Sequence, residues 1–239
     1  YNMQTGKETA VTEKWYNSSS PVFSKDGKYL VYAADRDFNP TYSNTEWNHA
    51  YTNMSGIYVT MLAKETPSPL MSKDGEAPKA NKPDAQKGGD KPDETVNVKI
   101  DADGIFDRTV KLVGNMGRAS IIYCDGKKVY YSTGRETKAI DMATLEDTKL
   151  FDGRMSVQGD KAIVTASGRD GTKVYVLDKI PAGKTNLENA VNLGDLSTIV
   201  DWKQEWAQLF DEAWRAYRDG FYLENMHGVD WKAIKTKYE

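Results

Sequence analysis

His49 and His227 are the only histidines in this chain of 239 residues, and a serine or cysteine hydrolase would need one of them as its base. Neither has the surroundings that role requires. His49 stands in the aromatic stretch Trp47-Asn-His-Ala-Tyr51, and His227 in Asn225-Met-His-Gly228, which reads as a turn between helices. No G-x-S-x-G elbow occurs, so no complete serine triad is expected within residues 1–239 and no residue is assigned a catalytic role. Ala182-Gly-Lys-Thr185 ends like a phosphate-binding loop, but Asp178 occupies the place of its first glycine. Asp101-Ala-Asp-Gly104 opens like a calcium loop yet lacks the third oxygen ligand and the distant glutamate, so it reads as a turn. With one cysteine, Cys124, an internal disulfide and a cysteine-based zinc site within the chain are both excluded. No metal and no other cofactor is expected.

The residues best suited to recognition are aromatic. Phe38, Tyr42, Trp47, His49 and Tyr51 crowd an insertion at 35–56, where rings and amides carried on a loop could line a path for a peptide. Burial against one another is the alternative, since large rings bury area before they recognise anything.

What must position that insertion is a repeated β unit. Asp26-Gly-Lys-Tyr-Leu-Val-Tyr-Ala-Ala34, Asp125-Gly-Lys-Lys-Val-Tyr-Tyr-Ser-Thr133 and Gly159-Asp-Lys-Ala-Ile-Val-Thr-Ala-Ser167 each read as a tight turn running into a strand. A second strand follows each, at 57–62, 138–142 and 173–178. Units of this size cannot bury both faces alone and must stack on neighbours, as the blades of a β-propeller do. Short strands in this number also suit a two-sheet sandwich, but the recurring turn phase favours the propeller. Residues 1 to about 16 align with 140–151 and are expected to be the outer hairpin of a preceding blade, so the chain is expected to open inside a longer protein. The fold class expected is mainly β: a partial β-propeller of about three blades plus the tail of a preceding one, over 1–196, followed by a helical segment. Gly114-Asn-Met-Gly117 reads as a connector between blades, and 66–95, rich in Pro and Lys and almost free of apolar residues, as a poorly packed insertion.

From Asp201 the apolar period becomes helical: Trp206, Leu209, Phe210, Ala213, Trp214, Tyr217 and Phe221 form one stripe, with Asp201 as N-cap. A second helix is expected from Asp230, with Trp231, Ile234 and Tyr238 on one face, so 197–239 reads as the start of a helical domain. Charges of both signs are scattered and sum to -3, which argues against nucleic acid as partner, and no apolar run is long enough for a membrane span.

Ser20-Pro-Val-Phe-Ser-Lys-Asp-Gly-Lys-Tyr-Leu30 resembles the blade repeat of tricorn and TolB-like propellers. Arg36-Asp-Phe-Asn-Pro-Thr-Tyr42, Ala63-Lys-Glu-Thr-Pro-Ser-Pro69, Asp211-Glu-Ala-Trp-Arg215 and Asn225-Met-His-Gly-Val-Asp-Trp231 narrow the resemblance to tricorn-protease homologues, in which similar segments follow in the same order. The resemblance implies a large serine peptidase with two propellers, a helical domain, a PDZ domain and a final catalytic domain. This chain would cover the end of the second propeller and the start of the helical domain, ahead of the catalytic residues. It further implies oligopeptide substrates, a propeller acting as filter or passage, a homo-oligomeric ring, and the cytoplasm, with the periplasm as alternative. A non-enzymatic TolB-like propeller that binds a protein or glycan is the competing expectation.

Overall fold

The computed structural model describes residues 1–3, 5–42, 49–70, 96 and 98–238. Trp47 and most of the Pro- and Lys-rich insertion lie outside the described residues, as does the side chain of His49. The chain divides into two compact units, 1–191 and 192–239.

The first unit is built from three consecutive antiparallel meanders. Strands β1 (Ser18–Phe23), β2 (Tyr29–Asp35), β5 (Ser55–Met61) and β6 (Thr109–Met116) make the first sheet in that order. Strands β7 (Ser120–Cys124), β8 (Lys128–Thr133), β9 (Glu136–Asp141) and β10 (Asp147–Asp152) make the second. The third has β11 (Arg154–Gln158), β12 (Lys161–Gly168) and β13 (Gly171–Leu177). The turns fold as their chemistry dictates: Gly27, Gly126 and Gly159 all adopt positive φ, at 69°, 95° and 60°.

The first strands of the meanders lie side by side. The Oγ atoms of Ser20 and Ser120 are 3.3 Å apart near the starts of β1 and β7, and Lys25 donates its backbone N–H to the Cys124 carbonyl at 2.8 Å past their far ends. Lys25 also reaches Asp160 of the third meander at 2.8 Å, so the three sheets are in phase, with corresponding ends together.

Alternation along the strands explains the packing. Val129 and Tyr131 turn to the core shared with Val31, Ile57 and Val59 of the first sheet, while Tyr130 turns the other way, against Leu150, Met155 and Val164. The second sheet is thus covered on both faces along β7 and β8, which is why Ile121-Ile-Tyr-Cys124 and Val129-Tyr-Tyr131 read as unbroken apolar runs, a fully buried Val contributing about 2 kcal/mol. The far face of the first sheet, with Leu30, Tyr32, Tyr58 and Leu62, is packed by Val11.

Two details depart from the sequence reading, and the last meander is one strand short of the others. Of the outer hairpin expected at 1–16, the structure keeps a turn, closed by the Asn2 N–H on the Lys7 carbonyl at 2.9 Å, without a strand ladder. Gly114 to Met116 are not a connector; they finish β6 as a bulge opposite Ser55 and Ile57, with Asn115 at φ 56°. After β13 no fourth strand forms among the described residues, because Pro181, Gly183, Asn186, Asn189 and Gly194 interrupt the segment that would make it.

In the second unit, α1 (Trp202–Gly220) starts at the expected cap, Asp201, whose carboxylate accepts the backbone N–H groups of Lys203 and Gln204. A short 3-10 turn, Met226–Gly228, leads to α2 (Trp231–Tyr238). The helices are held by a reciprocal pair of hydrogen bonds, Trp214 Nε1 to the Trp231 carbonyl at 3.0 Å and Trp231 Nε1 to the Trp214 carbonyl at 3.2 Å. Lys235 adds an ion pair to Asp211 at 2.6 Å. No helix among the described residues is long and apolar enough to cross a membrane.

Candidate functional site

The aromatic insertion folds as a small hairpin between β2 and β5. Its strands, β3 (Pro40–Tyr42) and β4 (His49–Tyr51), pair Pro40 with Tyr51 and Tyr42 with His49. The Phe38 and Tyr51 rings meet at 5.1 Å, yet Phe38 remains 70%, Tyr42 72% and Tyr51 50% exposed. Of the five aromatic-site residues, then, the structure brings Phe38 and Tyr51 into contact and leaves them with Tyr42 on the surface rather than in a core.

The base of this hairpin is tied to the sheet by polar contacts. Asp37, 9% exposed, accepts the backbone N–H of Asn115 at 2.6 Å and an ammonium hydrogen bond from Lys111. Burial alone would raise its carboxyl, but the Lys111 hydrogen bond, the Asn115 N–H and the Lys111 charge prevail and hold it below the usual carboxylate range. Asn39 adds a side-chain bond to Asn115 at 2.9 Å. A Cβ at Gly114 would lie 2.2 Å from both the Asp37 carboxylate and the Lys111 side chain, so a larger residue would have to push aside the ends of the ion pair where it crosses β6.

The other sequence candidates resolve into structural roles. Asp101 and Asp103 engage Lys64, at 2.8 Å through its backbone N–H and 2.6 Å through its ammonium. Ala182 accepts from Lys128 in a loop, not at a helix start. His227 sits at φ 56° in the interhelix turn, with Nε2 2.5 Å from the Tyr222 hydroxyl.

Sequence reasoning missed a second set of residues at the hairpin's end of the sheets. The turn before β7 carries Arg118, the β8–β9 turn Arg135, the start of β11 Arg154 and the β12–β13 turn Arg169. All four are exposed, and among the described residues none of them forms an ion pair or hydrogen bond through its guanidinium. A cleft of about 810 Å³ is lined by Arg135, Arg154 and Arg169 with Thr165 and Ser167, and a second of about 780 Å³ by Arg118, Arg154, Ser120 and Ser156. The signal was present in the sequence: each of the four arginines follows a glycine, at 117–118, 134–135, 153–154 and 168–169.

Residues 202–239 match the tricorn protease C1 domain. The chain is 26% identical to tricorn protease homolog 1 of Streptomyces coelicolor over 93% of its own length and 23% of the relative's. It is 24% identical to the tricorn protease of Thermoplasma volcanium, covering 93% of this chain and 21% of that one. This chain is similar to tricorn proteases along nearly its whole length. The putative tricorn-like protease C-terminal subunit of Sulfurisphaera tokodaii matches 98% of it at 22% identity, with 27% of the relative covered. The fold agrees: a crystal structure of the tricorn protease superposes with a TM-score of 0.68 over 99% of this chain and 23% of that one, at 21% identity. The chain therefore spans about a quarter of the length of these relatives.

Proposed function

We propose that this chain is the non-catalytic stretch of a serine peptidase that degrades oligopeptides, its three meanders being successive blades of a β-propeller that guard the approach to an active site carried elsewhere in the protein. The observation that carries the reading is the match to tricorn proteases along nearly the whole chain. The side-by-side first strands support the propeller, because blades radiating from an axis put their innermost strands together. On this reading 1–196 belongs to the propeller and 197–239 opens a helical domain. A homo-oligomeric ring and a cytoplasmic setting accompany it.

The insertion that carries Phe38, Tyr42, Trp47, His49 and Tyr51 in sequence is the part suited to touch peptide. The exposed rings of Phe38, Tyr42 and Tyr51 offer apolar area to an extended chain with little side-chain entropy lost, and the Asp37 anchor ties the base of the hairpin to the sheet.

The test is hydrolysis of fluorogenic peptides of graded length by the intact protein. Cleavage blocked by a serine-directed reagent is expected, with Phe38→Ala and Tyr51→Ala together lowering kcat/KM for long peptides more than for short ones. Failure of the intact protein to cleave any oligopeptide would overturn the peptidase reading. An equal effect on long and short substrates would overturn the passage role of the hairpin.

A further inference from the structure

We infer that the four Gly-Arg turns form a carboxylate-binding rim that selects acidic oligopeptides, an inference that rests on the peptide reading above for the identity of its ligand. Of the chain's eight arginines, these four gather at one end of the second and third sheets, although they are spread over 52 positions of sequence (118 to 169). Among the lysines of the same sheets, Lys138 pairs with Asp147, Lys149 with Glu136 and Asp152, and Lys161 with Asp178, while Lys173 borders the larger cleft and adds to its positive charge. Arginine, not lysine, occupies every one of the four turns, and guanidinium is the group whose planar fork binds a carboxylate through two parallel hydrogen bonds.

The backbone holds the rim in place. Gly153 donates its N–H to the Arg135 carbonyl at 2.7 Å and accepts the Thr137 hydroxyl at 2.7 Å, which fixes the Arg135 turn beside the Arg154 strand start. Gly153 sits at φ 142°, and a Cβ there would come within 3.1 Å of the Thr165 carbonyl, so glycine allows this approach. Arg154 borders both clefts and joins them into one basic surface. Two carboxylates share the larger cleft, but Asp152 is held by Lys149 at 2.9 Å, and Asp170 alone leaves the excess positive. Converging guanidinium groups without internal partners leave their hydrogen-bonding capacity for a ligand, and the Thr165, Ser167 and Ser156 hydroxyls can complete it.

The experiment measures fluorescence anisotropy of a labelled peptide alternating glycine and glutamate, against its glutamine counterpart. The intact protein is used after treatment with a serine-directed fluorophosphonate, so that the peptide is not consumed. The glutamate peptide should bind on the order of tenfold more tightly, and the preference should fade as salt rises from about 0.05 M to about 0.5 M. Arg135→Gln with Arg154→Gln should abolish the preference, and Arg135→Lys with Arg154→Lys should restore only part of it, because charge returns without the fork. Lys203→Gln, which removes one charge from the helical unit, should leave it intact. Circular dichroism confirms that each variant is folded. Equal binding of the two peptides, or a preference that survives the paired glutamine variant, overturns the inference. So does tighter binding of an oligothymidylate than of the acidic peptide. A neutral fluorogenic peptide assayed in parallel separates the two readings: its cleavage without acidic preference removes only this inference, whereas acidic preference in a protein that cleaves nothing removes only the peptidase.

Discussion

Asp37 accepts the backbone N–H of Asn115 at 2.6 Å, a bond that spans 78 positions of sequence and fastens the aromatic hairpin to the bulged end of β6. Lys111 neutralises the same carboxylate as it passes over Gly114. Gly114→Ala would drive its methyl into both partners and separate them, leaving a buried carboxylate short of its charge partner. The expected cost is about 2 kcal/mol, seen as a lower urea midpoint, with faster proteolysis of the hairpin.

The same carboxylate makes the hairpin sensitive to acid. Its folded pKa lies below the ordinary value of 3.8, so its stabilisation is fully present above that value and is lost as pH falls through the lower folded one. Asp37→Asn should remove this component of the acid transition while lowering stability at neutral pH. The check is urea unfolding of both proteins from neutral pH down to about pH 2, where their stabilities should converge.

Cys124 lies at the end of β7 with no exposed surface, between the first and second sheets. Burial pushes its thiol up to about 12, a rise that the backbone hydrogen bond from Gly126 only tempers and that Asp125 and Asp26 reinforce. The thiolate is the reactive form, so the folded protein should resist a disulfide exchange reagent at neutral pH. Labelling should follow the unfolding transition in urea; rapid labelling of the native protein would show that the two sheets separate readily at this point.

Local chemistry was legible in the sequence, and distant chemistry was not. The Asp26, Asp125 and Gly159 turns and the strands after them could be read because turn residues and alternation act within a few positions. Asn115 reads as part of a connector because Gly and Asn signal turns and bulges alike, and only the partner strand decides between them. Nothing near Asp37 in sequence announces that Lys111 will meet it. The arginine rim was hidden for a related reason: along the chain, Arg118, Arg135, Arg154 and Arg169 look like scattered charge, and only the meander connectivity returns them to one end.

In the helical unit, Trp214 and Trp231 exchange indole hydrogen bonds with each other's backbone carbonyl, their rings stacked at 6.4 Å. The bonds fix where α2 begins against α1, since either helix sliding by one turn would break both. Trp214→Phe keeps an aromatic face but removes one donor, leaving the Trp231 carbonyl without it, at an expected cost of about 1 kcal/mol. Trp231→Ala removes the ring, its stacking and the second donor together, and about 3 kcal/mol is expected to go with them. Hydrogen exchange over 231–238 reads the difference: modestly faster in the first variant, close to that of an unfolded chain in the second. Unchanged protection of α2 in Trp231→Ala would mean that the Lys235 ion pair to Asp211, not the tryptophan pair, docks the helix.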